Sequence, residues 1–308
     1  MGFLKKLYSR LFPASKQQLK KGLSEIMDSQ KDMLNELNEQ QELLNKKIEE
    51  VTRTNQVLHA KLLQDAEVKY KKLGESLQMV RKEQRLNIGV SKESVWADIF
   101  HDTINEESWL IRRSFSPGRW AIGYPVLYVM YRVLNEIRPV NILELGLGQS
   151  TNMISQYVAA KDGCQHIVVE NDEKWIKFFK NNHELTEKTK ILQKDWVLES
   201  FEEVEVRQYE NFADGTKGKF DFIFIDAPLG GDMSEYSRVD VARIMPECLA
   251  EDFVIMVDDY NRSGERNTVE YMRKVLRDNN IDFKEGRYSG EKDVILICSP
   301  TNSFLTSM

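Results

Sequence analysis

Three acids stand where apolar runs end: Asp226 in Ile225-Asp-Ala-Pro-Leu-Gly-Gly231, and Asp258 and Asp259 in Val257-Asp-Asp-Tyr-Asn-Arg262. Carboxylates gathered at neighbouring strand ends repel one another unless a cation or a shared proton relieves them. An oxygen-seeking divalent ion such as Mg or Mn suits such ligands. An alcohol is a poor nucleophile at neutral pH, and a metal or a carboxylate base is what removes its proton. Asp226, Asp258 and Asp259 are therefore read both as catalytic residues and as metal ligands.

A second group of residues has the spacing of a ligand loop. Asn141-Ile-Leu-Glu-Leu-Gly-Leu-Gly-Gln-Ser150 runs an apolar strand into Gly146 and Gly148, then into an amphipathic stretch that begins near Ser150. Glycines there remove Cβ, so that a nucleotide-like ligand can approach bare N–H groups at a helix N-terminus. A dinucleotide loop wants a third glycine at position 151, where this chain has Thr151, and it does not usually carry a carboxylate two residues before the first glycine. Glu144 puts a negative charge under the loop, as suits a cationic sulfonium bearing a free amino group, namely S-adenosylmethionine. Glu170 closes the next apolar run, 22 residues after Gly148, where a carboxylate can accept both ribose hydroxyls.

With these residues in place the chain resembles the class I methyltransferases, whose first motif is an acidic residue followed by x-Gly-x-Gly. The resemblance implies an adenine site just past the third strand, at Asp195 and Trp196. Trp175 is read instead as helix packing. Asp226, Asp258 and Asp259 are similar in position to the metal ligands of the catechol O-methyltransferase type, although Asp259 stands where that pattern has Asn. The likeness is closer to sugar-directed O-methyltransferases typified by plant glucuronoxylan 4-O-methyltransferase. It rests on Gly146 to Gly148, Glu170 to Trp175, Ile225 to Gly230 and an aspartate after the fifth strand. It covers roughly residues 138–298 and not the N-terminal part. Arg119, Arg262 and Arg266 are the candidate substrate residues: Arg119 lies in a Ser-Pro-Gly-Arg-Trp loop, and Arg262 and Arg266 can clamp a carboxylate such as that of a uronic acid.

The elements that must position these groups read as an α/β fold. A doubly wound Rossmann-like methyltransferase sheet, mostly parallel with a C-terminal antiparallel strand, follows a long α-helical coiled coil. Strands are expected at 166–170, 190–193, 220–225 and 253–257, a helix at 267–277, and a final pair at 283–287 and 293–298. Residues 89–138 read as helices leading into a core at 139–300, within a methyltransferase domain at 89–308.

Residues 19–88 lack proline and carry apolar residues at heptad spacing, with Met27, Leu34, Ile48 and Leu62 on one position and Leu23, Leu37, Leu44, Val51 and Leu58 on its partner. The register slips at 65–69 and resumes at Tyr70, as a stutter produces. Gln41 and Asn55 at core sites favour a homodimer, with a trimer as the alternative. Residues 1–18 form a basic amphipathic segment with Phe3, Leu4, Leu7, Leu11 and Phe12 set against Lys5, Lys6 and Arg10, and Pro13 stops its helix; such a segment suits an anionic membrane surface.

Composition narrows the field. The 308 residues include 41% hydrophobic and 30% charged types, enough for one α/β domain and an extension. A net charge of -6 argues against nucleic acid as a partner. Three cysteines, widely spaced and in apolar stretches, read as reduced thiols of a cytoplasmic protein, held at the inner membrane face if the basic helix engages it. The expected activity is S-adenosylmethionine-dependent, metal-assisted O-methylation of a sugar or glycan hydroxyl. A small molecule or a protein as acceptor, and a non-catalytic scaffold whose head binds the cofactor, remain as alternatives.

Overall fold

A computed structural model describes every residue except Met1, Phe12 and Arg119. It divides into two compact units, residues 1–80 and 81–308. The first unit is helical: it holds α1 (Gly2–Leu11) and the greater part of α2 (Pro13–Thr103). The expected register slip at 65–69 leaves no break in α2. Leu23, Leu37, Leu44, Val51 and Leu58, with Met27, Leu34, Ile48 and Leu62, are all exposed along it. Among the described residues no helix is long and apolar enough to cross a membrane.

The second unit is built on a seven-stranded sheet. Its strands are β1 (Asn141–Leu145), β2 (Gln165–Glu170), β3 (Thr189–Gln193), β6 (Phe220–Ile225), β7 (Leu249–Val257), β8 (Lys284–Ser289) and β9 (Asp293–Cys298). The spatial order is β3-β2-β1-β6-β7-β9-β8. The pairs from β3 through β7 are parallel, and β9 runs antiparallel between β7 and β8. Period-two alternation gives each central strand two apolar faces, as a sheet covered on both sides requires. Ile142, Phe222, Phe224, Val254 and Met256 face one core, shared with α3 (Tyr124–Arg132), α4 (Gln149–Ala160) and the end of α2 at Phe100. Leu143, Leu145, Ile223, Ile225 and Val257 face the other, shared with α7 (Ser263–Asp278).

The strands β4 (Trp196–Phe201) and β5 (Val204–Tyr209) and the short helix after them were not expected. The two strands pair as an antiparallel hairpin outside the main sheet. It is fixed by Asp240, at the start of the short α6 (Asp240–Ile244), whose Oδ1 accepts from the Tyr209 backbone N–H at 2.7 Å. The helix α7 also begins four residues earlier than its sequence pattern suggests, so that Glu265 falls in its first turn. The last turns of α2 belong to this unit: Glu93 accepts from the backbone N–H groups of Tyr124 and Glu291, and Trp96 Nε1 donates to Ser289 O at 3.1 Å. The order of successive strands turns back at the β1/β6 boundary, which is where doubly wound sheets open a crevice at their carboxyl ends.

Candidate active site

A cavity of about 710 Å³ occupies that crevice. At one end of it β1 gives way to α4 through Gly146, Leu147 and Gly148. Gly146 has φ +102, and a Cβ there would lie 3.1 Å from the Ala227 Cβ, so both backbone and packing demand glycine. Gly148 differs: a Cβ there would meet no protein atom within 4 Å. Packing within the chain does not exclude a side chain at Gly148, whose missing Cβ leaves open space at the cavity wall. Ser150 is buried and also lines the cavity.

Glu170 at the end of β2 meets this loop. Its Oε2 accepts from Leu147 N at 3.1 Å, and its Oε1 accepts from Asn171 N at 2.7 Å and Asp172 N at 2.9 Å. Three N–H donors fix the carboxylate at the cavity wall, with lone pairs left for other donors. Asp172 caps α5 (Glu173–Asn182) by accepting from Lys174 N and Trp175 N. That cap sets Trp175, whose Nε1 donates to Leu147 O at 2.6 Å and whose ring stacks on Phe178. Trp175, read from sequence as helix packing, thus forms an aromatic wall of the cavity.

Other expected residues lie elsewhere. Glu144 is fully buried and points along the sheet, its Oε2 2.9 Å from His166 Nε2, while His166 Nδ1 sits 3.3 Å from Thr189 Oγ1. It shares the face of Ile142, away from the loop. Asp195 and Trp196 begin the hairpin and do not line the cavity. The Asp195 carbonyl accepts from Glu210 N at 2.8 Å, and the Arg207 guanidinium lies over the Trp196 ring at 4.7 Å. Arg207 in turn holds Asp232 through two 2.8 Å hydrogen bonds. Arg266 is exposed and donates to Asn261 O, off the cavity, whereas Arg262 lines it. Arg119 lies outside the described residues.

The acid side of the cavity is lined by Asp226 after β6 and Asp259 after β7, with Asp258 fully buried next to them. Each of the three offers a carboxylate oxygen within 4.8 Å of the others. Sequence reasoning missed the group that binds them. Arg238, buried, places Nη2 2.9 Å from Asp259 Oδ2 and 3.2 Å from Asp226 Oδ1, while Nη1 donates to Asp258 O at 3.2 Å and Nε lies 3.7 Å from Glu265 Oε1. Arg262 Nη1 adds a 2.8 Å pair to the same Asp259 oxygen. Both Arg238 (φ 56) and Asp259 (φ 58) adopt left-handed backbone conformations, which place their side chains toward each other at a cost that the surrounding contacts must offset.

Burial and the neighbouring Asp258 push the Asp226 carboxyl up to about 8, against the pull of Arg238 and Lys292. Burial also raises Asp258, with Lys292 opposing. For Arg238, burial works against the charge, but Asp226 and Asp259 lead the carboxylates that hold it above its ordinary value.

No protein-family model matches the chain, and no curated protein does. Solved structures do. An O-methyltransferase from Bacillus cereus in complex with SAH is 14% identical at a TM-score of 0.39, covering 68% of this chain and 91% of that one. The O-methyltransferase TomG from Streptomyces achromogenes, in complex with SAM, is 10% identical at 0.41, covering 68% and 89%. The SAH-bound methyltransferase PaMTH1 from Podospora anserina is 16% identical at 0.37, covering 65% and 94%. At these values the likenesses carry no argument about chemistry, which rests on the residues of this chain.

The expected divalent ion is half accommodated. Three carboxylates of suitable spacing are present, and neither oxygen of Asp258 accepts a hydrogen bond. The surroundings do not fit, because the Lys292 ammonium already stands 3.5 Å from Asp258 Oδ2 and 3.8 Å from Asp259 Oδ1.

Replacing Arg238 by Gln leaves buried carboxylates without their shared cation. The expected loss is about 3–5 kcal/mol, a fall in melting temperature on the order of 10 °C, measured by thermal denaturation at pH 7 and partly recovered at pH 5, where protonation relieves the repulsion. An unchanged melting temperature would remove Arg238 from this role.

Proposed function

We propose that the cavity holds S-adenosylmethionine and that the chain is an O-methyltransferase acting on a sugar or glycan hydroxyl. The observation that carries the reading is the meeting, in one cavity, of the Gly146–Gly148 loop and Glu170 with the carboxylates at the ends of β6 and β7. A sulfonium cofactor supplies an electrophilic methyl group that needs orientation more than activation. Glu170 accepts the ribose hydroxyls at the wall where its carboxylate is already fixed. Trp175 offers a flat face to the purine. Gly148 lets the ligand reach the start of α4.

At the other end the acceptor hydroxyl needs a base. Asp226 lines the cavity, and its ionised form, the minority below a pH of about 8, takes the hydroxyl proton as the oxygen bonds to the methyl carbon and the methyl–sulfur bond breaks, leaving a neutral thioether. Asp259 also lines the cavity, Asp258 lies buried next to it, and Arg238 keeps the three acids in one arrangement. No step in this reading passes through a divalent ion. For the acceptor, Arg262 is the expected arginine that lines the cavity, and Trp120, 85% exposed at its rim, offers a stacking surface for a sugar ring. A cation and an aromatic at the mouth favour an acidic sugar over a plain phenol.

Transfer of a labelled methyl group from S-adenosylmethionine to methyl glucuronide, methyl glucoside and catechol tests the reading. Glucuronide is expected to be the best acceptor, and Asp226→Asn is expected to lower the rate by about 100-fold or more with cofactor affinity unchanged. Transfer confined to catechol, or an Asp226→Asn variant as fast as the natural chain, would contradict it.

The N-terminal unit completes the proposal. The exposed heptad stripe of α2 is buried by the same stripe of a second copy, as a parallel coiled coil, and α1 lies on an anionic bilayer with Phe3, Leu4 and Leu7, all exposed, turned to the lipid. Sedimentation of the full chain is expected to give a dimer that Leu44→Glu with Val51→Glu dissociates. Flotation with phosphatidylglycerol vesicles, absent with phosphatidylcholine, is expected to be lost in Phe3→Glu with Leu7→Glu. A monomer at all concentrations, or flotation indifferent to lipid charge, would end the respective idea.

A further inference from the structure

The strand-end acids carry a cation that the sequence pattern gave no reason to expect. Arg238 and Arg262 engage Asp259 Oδ2 and Asp226 Oδ1, and neither is placed against the Asp258 carboxylate. Asp258 is fully buried, and neither of its side-chain oxygens accepts a hydrogen bond. The charge closest to it is Lys292 Nζ, 3.5 Å from Oδ2. The same ammonium is 3.8 Å from Asp259 Oδ1 and donates to the carbonyl of Ala121, in the cavity wall, at 3.1 Å. It therefore sits among the donors that an oxygen-seeking ion would use.

Its position is built rather than incidental. Lys292 belongs to the turn between β8 and β9, where Gly290 N donates to Lys292 O at 2.8 Å. A Cβ on Gly290 would lie 2.7 Å from the Pro125 ring, so the turn can press against the start of α3 only as glycine. Glu93 from the end of α2 accepts from Glu291 N at 3.0 Å, and Tyr260 N, just past the acidic pair, donates to Asp293 O at 2.8 Å. Contacts from both sides aim the lysine stem into the cavity, and only 16% of its side chain stays exposed.

We infer that Lys292 is the resident cation of this centre, a tethered ammonium beside Asp258 and Asp259 where a divalent ion would otherwise bind, and that the centre works without a metal. An ion bound to those oxygens would stand against a fixed positive charge in a poorly screened site, which disfavours its binding. An ammonium has three donors. One goes to Ala121 and the acids attract a second, which leaves a third to face the acceptor oxygen. What that last donor does rests on the methyltransferase reading; the exclusion of metal does not.

Titration of the full chain with Mn²⁺, followed by loss of the free-ion electron paramagnetic resonance signal, tests the exclusion with neither cofactor nor acceptor present. The natural chain and Lys292→Arg are expected to leave Mn²⁺ free at concentrations where Lys292→Met, having lost the ammonium, binds one ion about tenfold or more tightly. Circular dichroism establishes that Lys292→Met is folded. Stoichiometric binding by the natural chain equal to that of Lys292→Met overturns the inference, and so does a folded Lys292→Met that gains no affinity. A chain that fails to bind S-adenosylmethionine but shows the Mn²⁺ pattern refutes the methyltransferase reading alone, and methyl transfer that stops with chelator refutes the metal-free centre alone.

Discussion

Four carboxylates, Asp226, Asp258, Asp259 and Glu265, meet where β6, β7 and α7 come together, and the buried guanidinium of Arg238 is what lets them share that space. Without it the acids would be forced apart or protonated, because unpaired charge in a buried site is strongly disfavoured. Arg238 reaches three of the four side chains and the Asp258 carbonyl as well. The loop after β6 and the turn after β7 are thereby held as one surface, and the left-handed backbone of Arg238 and Asp259 persists because those contacts over-determine it.

The loop end of the cavity is fixed by other means. Glu170 ties β2 to the glycine turn through Leu147 N, and the Trp175 indole ties α5 to the same residue through its carbonyl. Leu147 is therefore gripped on both backbone groups, which holds the turn open for a ligand. The two ends lie side by side because the parallel pairing of β1 with β6 sets Leu145 opposite Ile225, so that Gly146 and Asp226 leave the sheet together. A nucleotide-like donor and a hydroxyl acceptor can then occupy one cavity without any movement of the sheet.

Much of this was legible in the sequence where a strong local pattern existed. The strands at 220–225 and 253–257 and the final pair followed from apolar runs, and the glycine turn from its spacing. The hairpin of β4 and β5 was not legible. Its turn is Glu202-Glu203, with φ of 48 and 68, and carries none of the Asn or Gly that such a turn prefers. Trp175 and not Trp196 faces the crevice, which composition alone cannot decide. Glu144 was misdirected although alternation held the answer: it falls in phase with Ile142 and so turns toward His166. Arg238 and Lys292 left no signal, since both come from connections whose paths are set by packing elsewhere.

The central claim is that the Gly146–Glu170–Trp175 end of the cavity binds S-adenosylmethionine. Isothermal titration calorimetry of the full chain tests it most directly, with NAD as the control ligand and Glu170→Ala as the control protein. One molecule bound per chain in the micromolar range, at least about tenfold weaker in Glu170→Ala and absent for NAD, is the predicted result. No heat of binding in the natural chain, or equal affinity in Glu170→Ala, would contradict the account.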